Sequence, residues 1–374
     1  MRMKIAFLIS AGLLIVMLAS YCQQGKKHDT SDTTLIASEQ RIEELLAGPP
    51  CLENFSRDVN SFDIEDVIIA SGDIKLQGKL YLPRMPGPHP AIIYMHGGGN
   101  NYELIMSAPQ FYAPRFAHCG YACLIYDERG TGQSGGVFHE STYDDFISDA
   151  GHAADFLAQH DQIAADKIGV FGGSQGGRLA PIVAARFPSV SFVISTSGPI
   201  GKVGDQATFN MKYALKIRGY EDTTIQQVMP LWEKHHKACE SLNPDDLDEV
   251  AEGIFRMRKF IDPMALPNTY QEFESDSNLF FLKPMYSSMS KDYLTELAKL
   301  DVPWLAIYGE QDPVINVKES IENIQKQMAS AQNHDCEIVR IKDVGHSFEY
   351  PGTRNYIRVE KIIVNWLNEQ ISNQ

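Results

Sequence analysis

From Pro90 onward, short continuous apolar runs alternate with longer segments whose apolar residues recur at helical spacing. The apolar runs predict strands at 91–95, 122–126, 167–171, 191–195, 302–308 and 336–341. The amphipathic segments predict helices at 108–119, 142–159, 175–187, 317–329 and 354–369. Continuous apolar strands that alternate with helices are typical of a mostly parallel sheet covered on both faces.

Upstream of this region the pattern changes twice. Residues 66–71 and 75–82 alternate between apolar and polar positions, which predicts an antiparallel hairpin that turns at residues 71–73. Residues 34–46 predict a short helix that ends before Gly48. The polar stretch 23–32 has too few apolar residues to pack, and it is expected to be a tether.

One predicted strand runs directly into a helix at a serine. Val170 and Phe171 lead into Gly172-Gly173-Ser174-Gln175-Gly176, a G-x-S-x-G sequence, and a helix is expected to follow it. A sharp strand-to-helix turn strains the backbone at the serine and exposes its hydroxyl beside the N–H groups that begin the helix. Ser174 is therefore the candidate nucleophile.

A serine nucleophile requires a base and an acid that orients the base. Asp312 follows the predicted strand 302–308, and His346 follows the predicted strand 336–341. The carboxyl ends of strands in an open α/β sheet meet at the edge where ligands bind. The sequence therefore predicts a Ser174, Asp312 and His346 triad.

The sequence also contains a candidate oxyanion hole. The strand 91–95 ends in His96-Gly97-Gly98-Gly99, where glycines allow backbone N–H groups to approach a developing alkoxide. The predicted donors are the N–H groups of Gln175 and Gly98, with Gly97 or Gly99 as the alternative source of a third. His96 is expected to shape this loop through a side-chain hydrogen bond.

The alternation stops between Ser197 and Lys299. This segment predicts helices at 225–239 and 247–260 and no strands, and an insertion at this point would fold as a cap over Ser174. Its bulky aromatic residues are expected to line much of a substrate pocket; the alternative is a peripheral helical decoration. They are Tyr213, Tyr220, Trp232, Phe255, Phe260, Phe280, Phe281 and Tyr286.

Taken together, these motifs resemble those of the α/β-hydrolases, and the resemblance runs from Ile64 to the C-terminus. It is carried by the loop at 96–99, by 127–134, and by the segments around Ser174, Asp312 and His346. The resemblance implies an α/β-hydrolase fold with a mostly parallel sheet of about eight strands and a helical cap. The loop at 96–99 resembles that of some lipases and esterases, whereas 172–177 is similar to bacterial acyl-ester hydrolases and dipeptidyl-peptidase-like hydrolases.

The N-terminus carries the pattern of an export signal. Arg2 and Lys4 precede an apolar run at 5–19 whose length suits a secretory signal, and Cys22 is then a candidate site for lipid attachment. The domain prediction is a signal segment at 1–21, a tether with a helix at 22–60, a core at 61–199 and 300–374, and a cap at 200–299. The predicted location is periplasmic or membrane-anchored.

Net charge excludes some partners. With 48 acidic against 33 basic residues the chain carries a charge of −15, which disfavours nucleic acid, anionic membranes and polyanionic substrates such as CoA thioesters. Beyond Cys22, five irregularly spaced cysteines predict no complete disulfide framework, though they permit one disulfide; Cys123 and Cys336 fall in strands and are expected to be buried thiols.

Two other motifs receive structural interpretations. Residues 130–135 match G-x-G-x-x-G, but no helix opens within the motif, so a dinucleotide site is rejected and Asp127 and Arg129 are expected to pair. His235 and Cys239 are half of a zinc motif that nothing completes, and a solvated face of the cap is expected there.

The sequence therefore predicts an exported serine hydrolase that acts on a small carboxylic ester without a metal or organic cofactor. The alternatives are a dipeptidyl- or aminopeptidase that binds the substrate amine through Glu233, Glu240, Glu252 or Glu272, an acyl thioesterase, and a catalytically silent binding module. Oligomeric state is not predicted.

Overall fold

A computed structural model gives the architecture of the chain. It describes residues 35–53, 55, 60–98, 107–241, 256–257, 259–261, 288, 290–331, 333, 335–353 and 355–372. The predicted signal segment 1–21, Cys22 and most of the predicted helix at 247–260 lie outside these residues. Among the residues described, no helix combines the length and the apolar character needed to cross a membrane.

Eight strands form one sheet in the order β1-β2-β4-β3-β5-β6-β7-β8. The pairs β1–β2 and β2–β4 are antiparallel, and all later pairs are parallel. The prediction of a mostly parallel sheet of about eight strands is confirmed. The strands are β1 (Phe62–Ser71), β2 (Ile74–Pro83), β3 (His89–Met95), β4 (Ala122–Tyr126), β5 (Ile163–Gly173), β6 (Phe192–Thr196), β7 (Trp304–Gly309) and β8 (Cys336–Ile341).

Helices cover both faces of this sheet. They are α1 (Glu39–Ala47), α2 (Pro50–Glu53), α3 (Ser107–His118), α4 (Tyr143–Leu157), α5 (Gln175–Arg186), α6 (Val203–Ile217), α7 (Asp222–Ser241), α8 (Leu294–Leu297), α9 (Val317–Ala331) and α10 (Val359–Ser372). Buried residues of the central strands alternate between two hydrophobic clusters, one on each face. Ile93 and Val170 belong to one cluster, whereas Ile92 and Phe171 belong to the other.

Some element boundaries differ from the sequence predictions. β1 begins at Phe62, four residues before the predicted start at residue 66. Asp63 and Asp66 interrupt the apolar pattern there, and their carboxylates pair with Arg84 and Lys79 at the surface. The final helix begins at Val359 instead of residue 354. The chain before it forms a turn closed by a bridge between Glu349 and Tyr356.

A disulfide joins the short helix α2 to the C-terminal end of α3, one of the helices that cover the sheet. Cys51 at α2 is bonded to Cys119 at the end of α3, which identifies the one pair that the cysteine spacing left unassigned. Cys123 and Cys336 are free and buried, as predicted. The side chain of Cys239 lies outside the described residues.

Candidate active site

Ser174 occupies a strained turn between β5 and α5. Its backbone angles are φ 53° and ψ −114°, in a region that side chains other than glycine rarely adopt. A Cβ atom at Gly172 would lie 2.2 Å from the backbone of Gly176, and one at Gly176 would lie 2.5 Å from the carbonyl oxygen of Met95. Only glycine fits at these two positions, so the flanking sequence permits the turn that projects Ser174 from the sheet edge.

The loop after β8 brings His346 to the same edge. The hydroxyl of Ser197, in the loop that follows β6, donates to the carbonyl oxygen of His346 at 2.7 Å. A Cβ at Gly309 would lie 2.4 Å from the carbonyl oxygen of Gly345, so the end of β7 packs backbone against backbone with the loop that follows β8. These contacts hold the imidazole beside the turn at Ser174.

The structure brings the three predicted triad side chains into one chain of contacts. Nε2 of His346 lies 3.1 Å from Oγ of Ser174, and Nδ1 lies 2.7 Å from Oδ2 of Asp312. The carboxylate of Asp312 is fully buried, whereas the imidazole keeps 21% of its surface exposed. With its proton on Nδ1, the imidazole donates to Asp312 and presents a lone pair to the serine hydroxyl.

Asp312 is held by its own loop. Its Oδ1 accepts hydrogen bonds from the N–H groups of Val314 at 2.8 Å and Ile315 at 3.1 Å. Glu310, the other acidic residue in this loop, instead forms a surface ion pair with Arg340 at 2.9 Å. The second oxygen of Asp312 is thus left to face His346.

The glycine-rich loop after β3 lies against the turn at Ser174. A Cβ at Gly97 would be 3.6 Å from Cβ of Ser174, and one at Gly98 would be 3.2 Å from Oε1 of Gln175. Nε2 of His96 lies 2.7 Å from the carbonyl oxygen of Tyr126, which confirms the predicted side-chain hydrogen bond that shapes this loop. Gly99 lies outside the described residues.

The predicted ion pair between Asp127 and Arg129 is wrong. Arg129 instead contacts Asp149 with two guanidinium nitrogens and Asp145 with a third, so it ties the loop after β4 to α4. The carboxylate of Asp127 accepts a hydrogen bond from the N–H of Gln133, inside the 130–135 motif. The prediction chose Asp127 because it is near Arg129 in the sequence. The i, i+4 spacing of Asp145 and Asp149, which places both carboxylates on one face of α4, is the sequence feature that could have indicated the observed partners.

Glu128 is a buried carboxyl group at the carboxyl end of β4. Burial raises its pKa to about 8, and the neighbouring Asp149 carboxylate adds to the rise. Its Oε2 has no hydrogen-bond partner among the described residues. Because the ordinary carboxyl value is 4.5, the folded protein retains a proton between these two pH values that the unfolded chain has lost.

We therefore expect Glu128 to make the folded state less stable as pH rises from about 5 to about 8, with no further loss above its folded pKa. Glu128→Gln should remove this dependence, so its stability relative to wild type should be greater at about pH 8 than at about pH 5.5. Urea-unfolding midpoints at both values test this. Glu322→Gln, an exposed control on α9, should follow wild type, and equal behaviour of Glu128→Gln would refute the expectation.

The described part of the predicted cap is helical but differs from expectation in detail. His235 and His236 are buried around Trp232 instead of forming a solvated face, and the rings of Trp232 and His236 are 4.3 Å apart. Trp232 itself is only 1% exposed and packs in the core cluster. Of the other proposed pocket residues, Tyr213 and Tyr220 are half-buried and Phe260 is exposed, whereas Phe255, Phe280, Phe281 and Tyr286 lie outside the described residues. Within the described part of the chain, no three His, Cys, Asp or Glu side chains group as a metal site.

Comparisons with known proteins agree with this architecture. A family model described as the alpha/beta hydrolase fold matches residues 90–349. Monoacylglycerol lipase ABHD6 of Rattus norvegicus is 23% identical over 291 residues, which cover 75% of this chain and 76% of the lipase. The quorum-quenching protein AidA of Acinetobacter baumannii is 28% identical over 155 residues, so the match spans 41% of this chain and half of that protein.

The similarity in structure extends further than the similarity in sequence. The Pyrococcus furiosus esterase Pf2001 superposes with a TM-score of 0.54 at 19% identity, covering 84% of this chain and 95% of the esterase. A hypothetical protein of Pseudomonas aeruginosa has the same TM-score at 20% identity, with the same coverage of both chains. At such identities the two structures identify the fold alone.

Proposed function

This chain belongs to the alpha/beta-hydrolase family, and we propose that it is a serine hydrolase that cleaves a carboxylic ester through an acyl-enzyme. The observation that carries the proposal is the contact chain from Ser174 through His346 to buried Asp312. A binding module with no catalytic activity would need neither the strained backbone at Ser174 nor the aligned hydrogen bonds that join its hydroxyl to His346 and Asp312.

In the proposed reaction, Oγ of Ser174 attacks the acyl carbon while Nε2 of His346 takes the hydroxyl proton. Asp312 holds the imidazole orientation and stabilises the imidazolium that forms. The N–H groups of Gln175 and Gly98 bind the oxyanion of the tetrahedral intermediate. His346 then protonates the leaving alcohol, and a water molecule activated by His346 hydrolyses the acyl-enzyme.

Two considerations support an ester over the other acyl substrates. ABHD6 is named as a monoacylglycerol lipase, and the net charge of −15 disfavours a polyanionic CoA thioester. Acyl-coenzyme A thioesterase 1 of mouse is 24% identical over 243 residues, so thioesters are included among the substrates to be tested.

The peptidase alternative requires an acidic side chain that binds the substrate amine. Of the four proposed glutamates, Glu233 is exposed on α7, and the side chains of Glu240, Glu252 and Glu272 lie outside the described part of the structure.

The test is a substrate panel measured on one preparation. It contains p-nitrophenyl esters of increasing chain length, aminoacyl-naphthylamides and acyl-CoA thioesters, together with a fluorophosphonate that labels activated serines. We expect the esters to give the highest kcat/KM and Ser174 to carry the label. Preference for the aminoacyl-naphthylamides would replace the ester by a peptide substrate, and absence of labelling and turnover would favour a binding module.

We also propose that the protein is exported and attached to lipid through Cys22. The Cys51–Cys119 disulfide supports export, because disulfides persist mainly in oxidising compartments. Fractionation of cells that express the full chain tests both parts of this proposal. Wild type should remain with the membrane fraction and Cys22→Ala should not; retention of both in the cytoplasm would contradict it.

A further inference from the structure

The loop that carries Asp312 is held from outside by two side chains of α6. Nε2 of Gln206 donates to the carbonyl oxygen of Val314 at 2.5 Å, and Nδ2 of Asn210 donates to the same oxygen at 3.2 Å. Oε1 of Gln206 also accepts the N–H of Asn316 at 3.3 Å. The carboxamide of Gln206 therefore pairs with the backbone on both sides of residue 315.

The carboxylate of Asp312 binds the same stretch of backbone from the other side. Its Oδ1 accepts the N–H groups of Val314 and Ile315, while its Oδ2 faces Nδ1 of His346. The peptide unit between Val314 and Ile315 is shared: its N–H group donates to Asp312, and its carbonyl oxygen accepts from Gln206. A displacement of this backbone would also displace the hydrogen bonds that orient Asp312.

We propose that Gln206 is a positioning residue for Asp312, an inference that rests on the proposed function of Asp312 as the acid of the triad. Gln206 lies on the first helix of the segment predicted to form the cap, 106 positions before Asp312. One helix therefore both begins that segment and holds the acid loop. Small displacements of catalytic groups reduce the rate strongly, so the loss of this contact should lower turnover without a change in substrate affinity.

The simpler role for Gln206 is attachment of α6 to the rest of the protein. That role predicts a rise in KM or a lower unfolding midpoint, with kcat per folded molecule unchanged. It also predicts that the effect is independent of Asp312. The Gln206 contact is at the surface, so its loss should leave the fold intact and allow kinetics to separate the two roles.

The first measurement compares Gln206→Met with wild type on a p-nitrophenyl ester. Methionine keeps the length and helix preference of glutamine but removes both hydrogen bonds. We expect kcat to fall about tenfold while KM changes by less than about twofold. Gln227→Met, on the exposed side of α7, is the matched control and should leave both constants unchanged.

The second measurement repeats the substitution in the Asp312→Asn background. If Gln206 acts through Asp312, Gln206→Met should then lower kcat by less than about twofold. Gln206→Glu, which can accept from Asn316 but cannot donate to Val314, should have a kcat between wild type and Gln206→Met.

An equal loss of kcat in both backgrounds, or a rise in KM with unchanged kcat, would overturn the positioning role. Full activity of Asp312→Asn alone would instead overturn the assignment of the acid. The two failures are therefore distinguishable in one set of variants.

Discussion

Ser174→Ala should abolish ester hydrolysis, with a loss in kcat on the order of 10⁶-fold. The substitution removes only the hydroxyl that lies 3.1 Å from Nε2 of His346, and alanine keeps the same Cβ atom at the same backbone angles. Alanine therefore adds no clash at the turn between Gly172 and Gly176. The measurement is the rate of p-nitrophenyl ester hydrolysis, together with the unfolding midpoint and fluorophosphonate labelling.

Ser189→Ala provides the matched control for this variant. Its hydroxyl is buried beyond the far end of α5 and has no hydrogen-bond partner among the described residues. It should retain wild-type turnover and labelling. Because triad members act as a unit, adding His346→Ala to Ser174→Ala should reduce the rate little further. Substantial turnover by a folded Ser174→Ala protein would show that another group is the nucleophile.

The parallel core could be predicted from the sequence because its strands contain runs of consecutive apolar residues. β4 is apolar and buried along its whole length, and β6 is buried along its whole length although it ends in Ser195 and Thr196. The candidate nucleophile, acid and base could be proposed in the same way, because each lies within a few residues of the end of a strand. Side chains placed by strand ends need little tertiary information.

The contacts that depend on packing could not be predicted in this way. His235 and His236 are polar residues whose burial against Trp232 follows from the packing of α7, which local composition does not report. The partners of Arg129 lie one and two helical turns into α4, and Gln206 meets the Asp312 loop across a long stretch of chain. Hydrophobic periodicity carries no information about such hydrogen bonds between distant polar side chains.

Two acidic residues, Asp312 and Glu310, lie in the loop after β7, and one substitution in each decides which is the acid of the triad. Asp312→Asn should lower kcat on the order of 10⁴-fold. Asparagine has the same size, and its Oδ1 can still accept from the N–H groups of Val314 and Ile315, so the loop should survive. Its NH₂ group would face Nδ1 of His346, however, and would favour the tautomer that carries its proton on Nε2.

That tautomer cannot accept the proton of Ser174, which is why the expected loss concerns kcat and leaves the fold unchanged. Glu310→Gln makes the same chemical change two positions earlier, where the carboxylate pairs with Arg340 at the surface, and it should leave the rate near wild type. The comparison requires kcat and the unfolding midpoint of both variants. If Glu310→Gln proved more damaging than Asp312→Asn, the acid would be Glu310, and the buried carboxylate beside His346 would have only a structural role.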